Sequence, residues 1–157
     1  MRIAVLADIH GNHVALERCL AHAEAQGAEA YWFLGDYVGE LPCPQRTMEA
    51  LYAWAEKHDC TFIRGNKENY WLGALDTSLW HRGDSTTGVL WYMNQRVTEK
   101  DKAFFASLPI ARVMALPGLP AVTICHGSPR EVGECLVPPG PTTNEAMEAA
   151  TTTLILC

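Results

Sequence analysis

Met1-Arg2-Ile3-Ala4-Val5-Leu6-Ala7-Asp8-Ile9-His10-Gly11-Asn12 opens the chain, and the reading of this stretch decides the fold. Its first seven residues are a short apolar run with β-branched members that stops at Asp8, the pattern of a buried strand. A helix is expected from His13 to Gln26, with Leu16, Cys19, Leu20 and Ala23 at helical spacing and Gly27 as its stop. Ala30 to Leu34 is a second apolar strand, ending in Gly35-Asp36. The Pro42-Cys43-Pro44 turn then feeds a helix with Met48, Leu51, Tyr52 and Ala55 on one face. Cys60 to Arg64 is a third strand, ending at Gly65-Asn66. Strand, helix, strand, helix, strand is the order of an α/β fold with mostly parallel pairing.

The second half reads differently. Lys67 to Leu75 and Thr86 to Asn94 are expected as short helices, and Thr98-Glu99-Lys100-Asp101 as a capping box opening a helix that Pro109 ends. Ile110 to Leu116 and Ala121 to Cys125 form a strand pair across Pro117-Gly118-Leu119-Pro120. A Pro-rich stretch from Val137 to Pro141 precedes a helix near Thr143 to Ala150, and Leu154 to Cys157 begin a last strand. The later strands add antiparallel or mixed sheet. The chain has no internal repeat and no low-complexity linker, so its 157 residues are read as a single domain.

Composition removes several function classes. With 48% hydrophobic and 19% charged residues the chain is globular. A formal charge of -6 argues against a dedicated nucleic-acid binder, which carries a basic stripe, but allows phosphate substrates if cations neutralise them. No apolar run approaches the ~20 residues of a membrane span, and the N-terminus is too soon charged for a secretory signal. Six cysteines without CxxC spacing, mostly inside apolar runs, read as buried reduced thiols of a cytoplasmic protein. Neither GxGxxG nor GxxxxGK[ST] occurs, so dinucleotide and triphosphate loops are unsupported.

The polar strand ends carry the chemistry. Asp8-Ile9-His10, Gly35-Asp36, Gly65-Asn66 and His126-Gly127 each follow an apolar strand, and α/β sheets bind ligands beyond the carboxyl ends of their strands. In extended backbone Asp8 and His10 point to the same side. Two carboxylates, two imidazoles and an amide oxygen form a mixed O/N donor set suited to Mn²⁺, Zn²⁺ or Fe rather than Cu(I). Singly, each has a plainer reading: aspartate as helix cap or turn former, Asn66 as a turn residue, His126 as a hydrogen-bonded structural histidine. Lys67 and Glu68 read as the exposed start of a helix, and Tyr31-Trp32-Phe33 as core. For Tyr70, Trp71, Trp80 and Trp91, packing is favoured over a substrate lid. His13, His22, His58 and His81 read as surface or packing residues.

Together these pieces resemble the calcineurin-like metallophosphoesterases, whose motif string runs DxH, GDxxG, GNH with an acidic residue, GH and GHTH. The matches are Asp8-Ile9-His10, Gly35-Asp36-Tyr37-Val38-Gly39, Gly65-Asn66-Lys67-Glu68 and Cys125-His126-Gly127, in order along nearly the whole chain. The resemblance implies a four-layer αββα sandwich. It also implies two divalent metal ions, Mn²⁺ foremost with Zn²⁺, Fe or Ni²⁺ as alternatives. Asp8 and His10 would hold one, Asn66 and His126 the other, and Asp36 both. A pair of ions ~3.5–4 Å apart would clamp a phosphate while a bridging hydroxide attacks phosphorus in line. The implied substrates are phosphomonoesters or phosphodiesters, small molecules or nucleotides, with no membrane partner. Arg130 is placed near a phosphate oxygen or, with equal weight, on the exposed surface, and Asn12 orients that phosphate or its own loop.

Two departures qualify the resemblance. Lys67 stands where many members carry a general-acid His; as a catalytic candidate it would stabilise charge, since an ammonium of pKa ~10.4 is a poor proton donor near neutrality. The GHTH motif is absent, and Leu154-Ile155-Leu156-Cys157 looks like the strand that leads into it, so the chain is expected to be truncated, with closing strands missing. Two further readings therefore stay open: a non-catalytic interaction scaffold on the same fold, as in a retromer subunit, or an inactive fragment of an active enzyme.

Overall fold

The computed structural model describes residues 1–157 apart from Thr86 and Pro139. Strands β1 (Ile3–Leu6), β2 (Ala30–Phe33) and β3 (Cys60–Phe62) form a parallel sheet in that order. Ile3 lies opposite Ala30, and Tyr31 opposite Cys60. Parallel neighbours need long crossovers, supplied by α1 (His13–Ala25) and α2 (Pro44–Ala55). After short 3₁₀ turns at Glu68–Leu72 and Thr77–Leu79 come α3 (Gly88–Asn94) and α4 (Glu99–Ser107). A second sheet joins β4 (Ala111–Met114), β5 (Val122–Cys125) and β6 (Leu154–Leu156), with α5 (Pro141–Glu148) before the last strand. In it β4 runs antiparallel to β5 and β6 parallel to it.

β2 explains why the layers stack. Its alternate residues Tyr31 and Phe33 enter a core with Leu16, Leu20, Met48, Leu51 and Phe105 under the helices. Trp32 and Leu34 point the other way, onto Ile63, Val122 and Ile124 between the sheets. A strand buried on both faces has to be apolar throughout, which is the Ala30–Leu34 run. On its far side the second sheet meets the chain after α5: a cavity of about 190 Å³ is lined by Ala111, Val113, Thr123, Ala149 and Ala150. The order is helices, sheet, sheet, helix.

Most boundaries fall within two residues of expectation. The capping box is present, with Thr98 N–H donating to Asp101 Oδ2 at 2.8 Å and Asp101 N–H to Thr98 Oγ1 at 3.2 Å. The helix expected from Lys67 to Leu75 is a 3₁₀ turn closed by Gly73 in the left-handed region, φ 95°. The one expected from Thr86 starts at Gly88, Thr86 itself lying outside the described residues. Trp71 and Trp80 are 7% and 5% exposed in the core, against which Tyr70 and Trp91 pack. The cysteines need correction. All six are free thiols, but of them only Cys125 is buried; Cys19, Cys135 and Cys157 are exposed. Cys19 is one residue, about 100° of helix, from the buried Leu20. No helix among the described residues is long and apolar enough to cross a membrane.

Candidate metal centre

Three chain segments meet beyond the ends of β1, β2 and β3, and the backbone there is not extended. Asp8, His10 and Asp36 adopt φ of 54°, 50° and 54°, so extended alternation does not aim Asp8 and His10 together; two left-handed residues do. Each such residue costs ~1–3 kcal/mol and persists only where its surroundings enforce it. A ladder between the two loops enforces it: Asp8 N–H to Gly35 O at 3.3 Å, His10 N–H to Asp36 O, Gly11 N–H to Tyr37 O and Leu41 N–H to His10 O, the last three at 2.8 Å. The third segment comes so close that a Cβ on Gly65 would lie 2.2 Å from Asp36 Oδ1. Glycine is required there by contact.

Five side chains converge as a result. His10 Nε2 is 3.4 Å from Asp8 Oδ1 and 3.7 Å from Asp36 Oδ2. His126 Nε2 is 3.6 Å from Asp36 Oδ1 and 3.0 Å from Asn66 Oδ1. Donor atoms of Asp8, His10 and Asp36 all lie within 4.8 Å of one another. Asp36 is the hinge of the arrangement: 2% exposed, it turns one oxygen to each imidazole. Burial pushes its carboxyl above the ordinary range, against the Lys67 N–H and the two imidazoles, which favour the anion.

The donor set fits divalent cations. His126 Nδ1 is 2.7 Å from Leu34 O, a contact that needs the proton on Nδ1 and leaves the Nε2 lone pair free. That lone pair faces the oxygens of Asn66 and Asp36, three electron-rich atoms that a cation would reconcile. Oxygen and nitrogen donors without sulfur suit Mn²⁺, Zn²⁺ or Fe.

Glu68 is the residue that sequence reasoning misplaced. It is 0% exposed, not the surface start of a helix. Its carboxyl accepts N–H bonds from Asp36 at 2.9 Å, Tyr37 at 2.9 Å and Gly65 at 2.8 Å, tying the Asp36 loop to the Asn66 loop. Burial and the neighbouring Asp36 carboxylate push it up to about 7 despite those three bonds. The signal in the sequence was an acid placed just after a strand-ending Gly-Asn pair, where two loops leave N–H groups unpaired.

Lys67 donates its backbone N–H to Asp36 Oδ1 at 2.9 Å and places Nζ 2.6 Å from Glu40 Oε1. Arg130 is directed elsewhere, its guanidinium on Glu134 and 3.6 Å from Glu145 Oε2. Asn12 caps α1, its side chain accepting from Ala15 N–H at 3.0 Å, and so serves its loop.

Residues 1–145 match the sequence profile of the calcineurin-like phosphoesterases. Among solved structures the chain is similar to a hypothetical protein from Pyrococcus horikoshii OT3, with 25% identity and a TM-score of 0.71 over 93% of this chain and 64% of that one. It is also similar to a metallophosphoesterase from Sphaerobacter thermophilus, with 28% identity and a TM-score of 0.62 over 84% of this chain and 49% of that one. The chain thus spans about half of one and under two thirds of the other. No curated protein matches it.

Proposed function

The chain belongs to the calcineurin-like phosphoesterase family, and from that premise we propose that it is a dinuclear-metal hydrolase of phosphate esters. The observation that carries the proposal is the buried Asp36, whose two oxygens face two separate imidazoles and can serve two cations. Asp8 and His10 would hold the first ion, Asn66 and His126 the second. Bound divalent ions would supply Lewis-acid charge to phosphoryl oxygens and lower the pKa of water to ~7.

The residues' own part is positioning. The Leu34 carbonyl fixes the His126 tautomer, Glu68 holds the Asp36 and Asn66 loops in register, and the left-handed turns aim Asp8 and His10 inward. Arg130 stays on its glutamates and is given no part in the chemistry. Mn²⁺ is the proposed ion, supported by the O/N donors. The proposed substrates are small phosphomonoesters or phosphodiesters, nucleotides included. The single domain over residues 1–157 and a cytoplasmic location belong to the same reading, the latter supported by six free thiols.

The test is Mn²⁺-dependent release of nitrophenol from 4-nitrophenyl phosphate and bis(4-nitrophenyl) phosphate. Asp36→Asn should reduce turnover by more than about a hundredfold, since both ions lose a shared ligand. Turnover unaffected by Asp36→Asn rejects the proposal.

A further inference from the structure

Lys67 is held at the rim of the metal centre by a separate partner for each of its parts. Its backbone N–H is committed to Asp36 Oδ1. Its stem lies over Gly39, where an added Cβ would come 3.3 Å from Lys67 Cγ and 2.9 Å from His10 Nδ1. Its Nζ is 2.6 Å from Glu40 Oε1 and 5.3 Å from the centre of the Tyr70 ring. The Gly11–Tyr37 and Leu41–His10 bonds pin the backbone on both sides of Glu40, whose side chain is 54% exposed. The hydrogen bond from Lys67 holds the Glu40 carboxyl below its ordinary range. The Lys67 stem and the His10 ring both border Gly39, so the ion pair stands beside the cluster, on loops that also carry Asp36 and Asn66.

An anion entering this site meets an ammonium that a carboxylate already occupies. Building on the phosphoesterase reading, we propose that Lys67 contacts the phosphoryl group of the substrate and that Glu40 competes with the substrate for it. The pair then sets the charge that the site accepts, favouring phosphodiester monoanions over phosphomonoester dianions. To use the ammonium, a phosphate has to replace Glu40, which exchanges one oxyanion contact for another. The displaced carboxylate stays close, and it repels a dianion twice as strongly as a monoanion at equal distance. Removing the negative member and removing the positive member must therefore act in opposite directions.

The experiment compares Mn²⁺-loaded wild type, Glu40→Gln and Lys67→Met. One readout is calorimetric titration with inorganic phosphate at pH 8. The other is the ratio of kcat/KM for 4-nitrophenyl phosphate to that for bis(4-nitrophenyl) phosphate, which share a leaving group and differ in charge. Glu40→Gln should tighten phosphate binding about tenfold and move the ratio about tenfold toward the monoester; Lys67→Met should move both the other way by a similar factor. Shifts of the same sign, an unchanged ratio with unchanged phosphate affinity, or no phosphate binding by any of the three overturns the inference. If wild type turns over neither ester, the hydrolase reading fails and the phosphate titration alone decides: opposite shifts in affinity support the competition, and equal affinities overturn it.

Discussion

Removing the Glu68 carboxyl should do more damage than removing a typical core side chain, and the structure gives the reason. Glu68→Ala leaves the N–H groups of Asp36, Tyr37 and Gly65 without their acceptor in a buried place. Each unsatisfied buried donor costs ~1–3 kcal/mol, so three cost ~3–9 kcal/mol, a large share of the ~5–15 kcal/mol that holds an ordinary domain together. Glu68→Gln keeps one oxygen, and in the place of Oε2 it can still accept from Asp36 and Gly65, leaving only Tyr37 opposed. It should recover more than half of the loss. The assay is urea unfolding of the metal-free protein followed by tryptophan fluorescence, with Mn²⁺ affinity measured in parallel, because the same three bonds register the Asp36 and Asn66 loops. An Ala variant within about 0.5 kcal/mol of wild type, the range of an ordinary surface change, would refute the reasoning.

Other expectations follow from the same geometry. Glu68 is pushed up from its ordinary 4.5 to about 7, so between those values the folded chain holds a proton that the unfolded chain has released. Stability of the metal-free protein should therefore fall as pH rises through this window, by about 3 kcal/mol from this group; Glu68→Gln should flatten that slope in pH-dependent unfolding. Gly65→Ala would drive a methyl to within 2.2 Å of Asp36 Oδ1; Mn²⁺ affinity should drop at least about tenfold, read by calorimetry. Asp8, whose side chain is 60% exposed, should separate binding from stability. Asp8→Asn should change the unfolding free energy by less than about 0.5 kcal/mol and weaken Mn²⁺ binding by about 10–100-fold.

What the sequence made legible has a common physical cause. Ala30–Leu34 could be read as an apolar strand because burial on two faces removes polar residues from the run, and Thr98 and Asp101 could be paired because a capping box is local. Asp8, His10, Asp36, Asn66 and His126 could be grouped by type and position at strand ends, and the structure brings the five side chains together. The misread features depend on distant chain. Left-handed φ at Asp8, His10 and Asp36 is imposed by hydrogen bonds between loops some twenty-five residues apart, and local preference for non-glycine residues points the other way. Glu68 looks like a surface helix start to its sequence neighbours, and is buried because N–H groups more than thirty residues earlier need an acceptor. Arg130, read either near a phosphate oxygen or on the surface, pairs with acids four and fifteen residues on.

Anomalous diffraction at the manganese edge from crystals grown with Mn²⁺ tests the central claim most directly. Two peaks flanking the Asp36 carboxylate are predicted, one also touched by Asp8 and His10, the other by Asn66 and His126. Manganese bound away from Asp36, or no manganese at these five side chains, would contradict it.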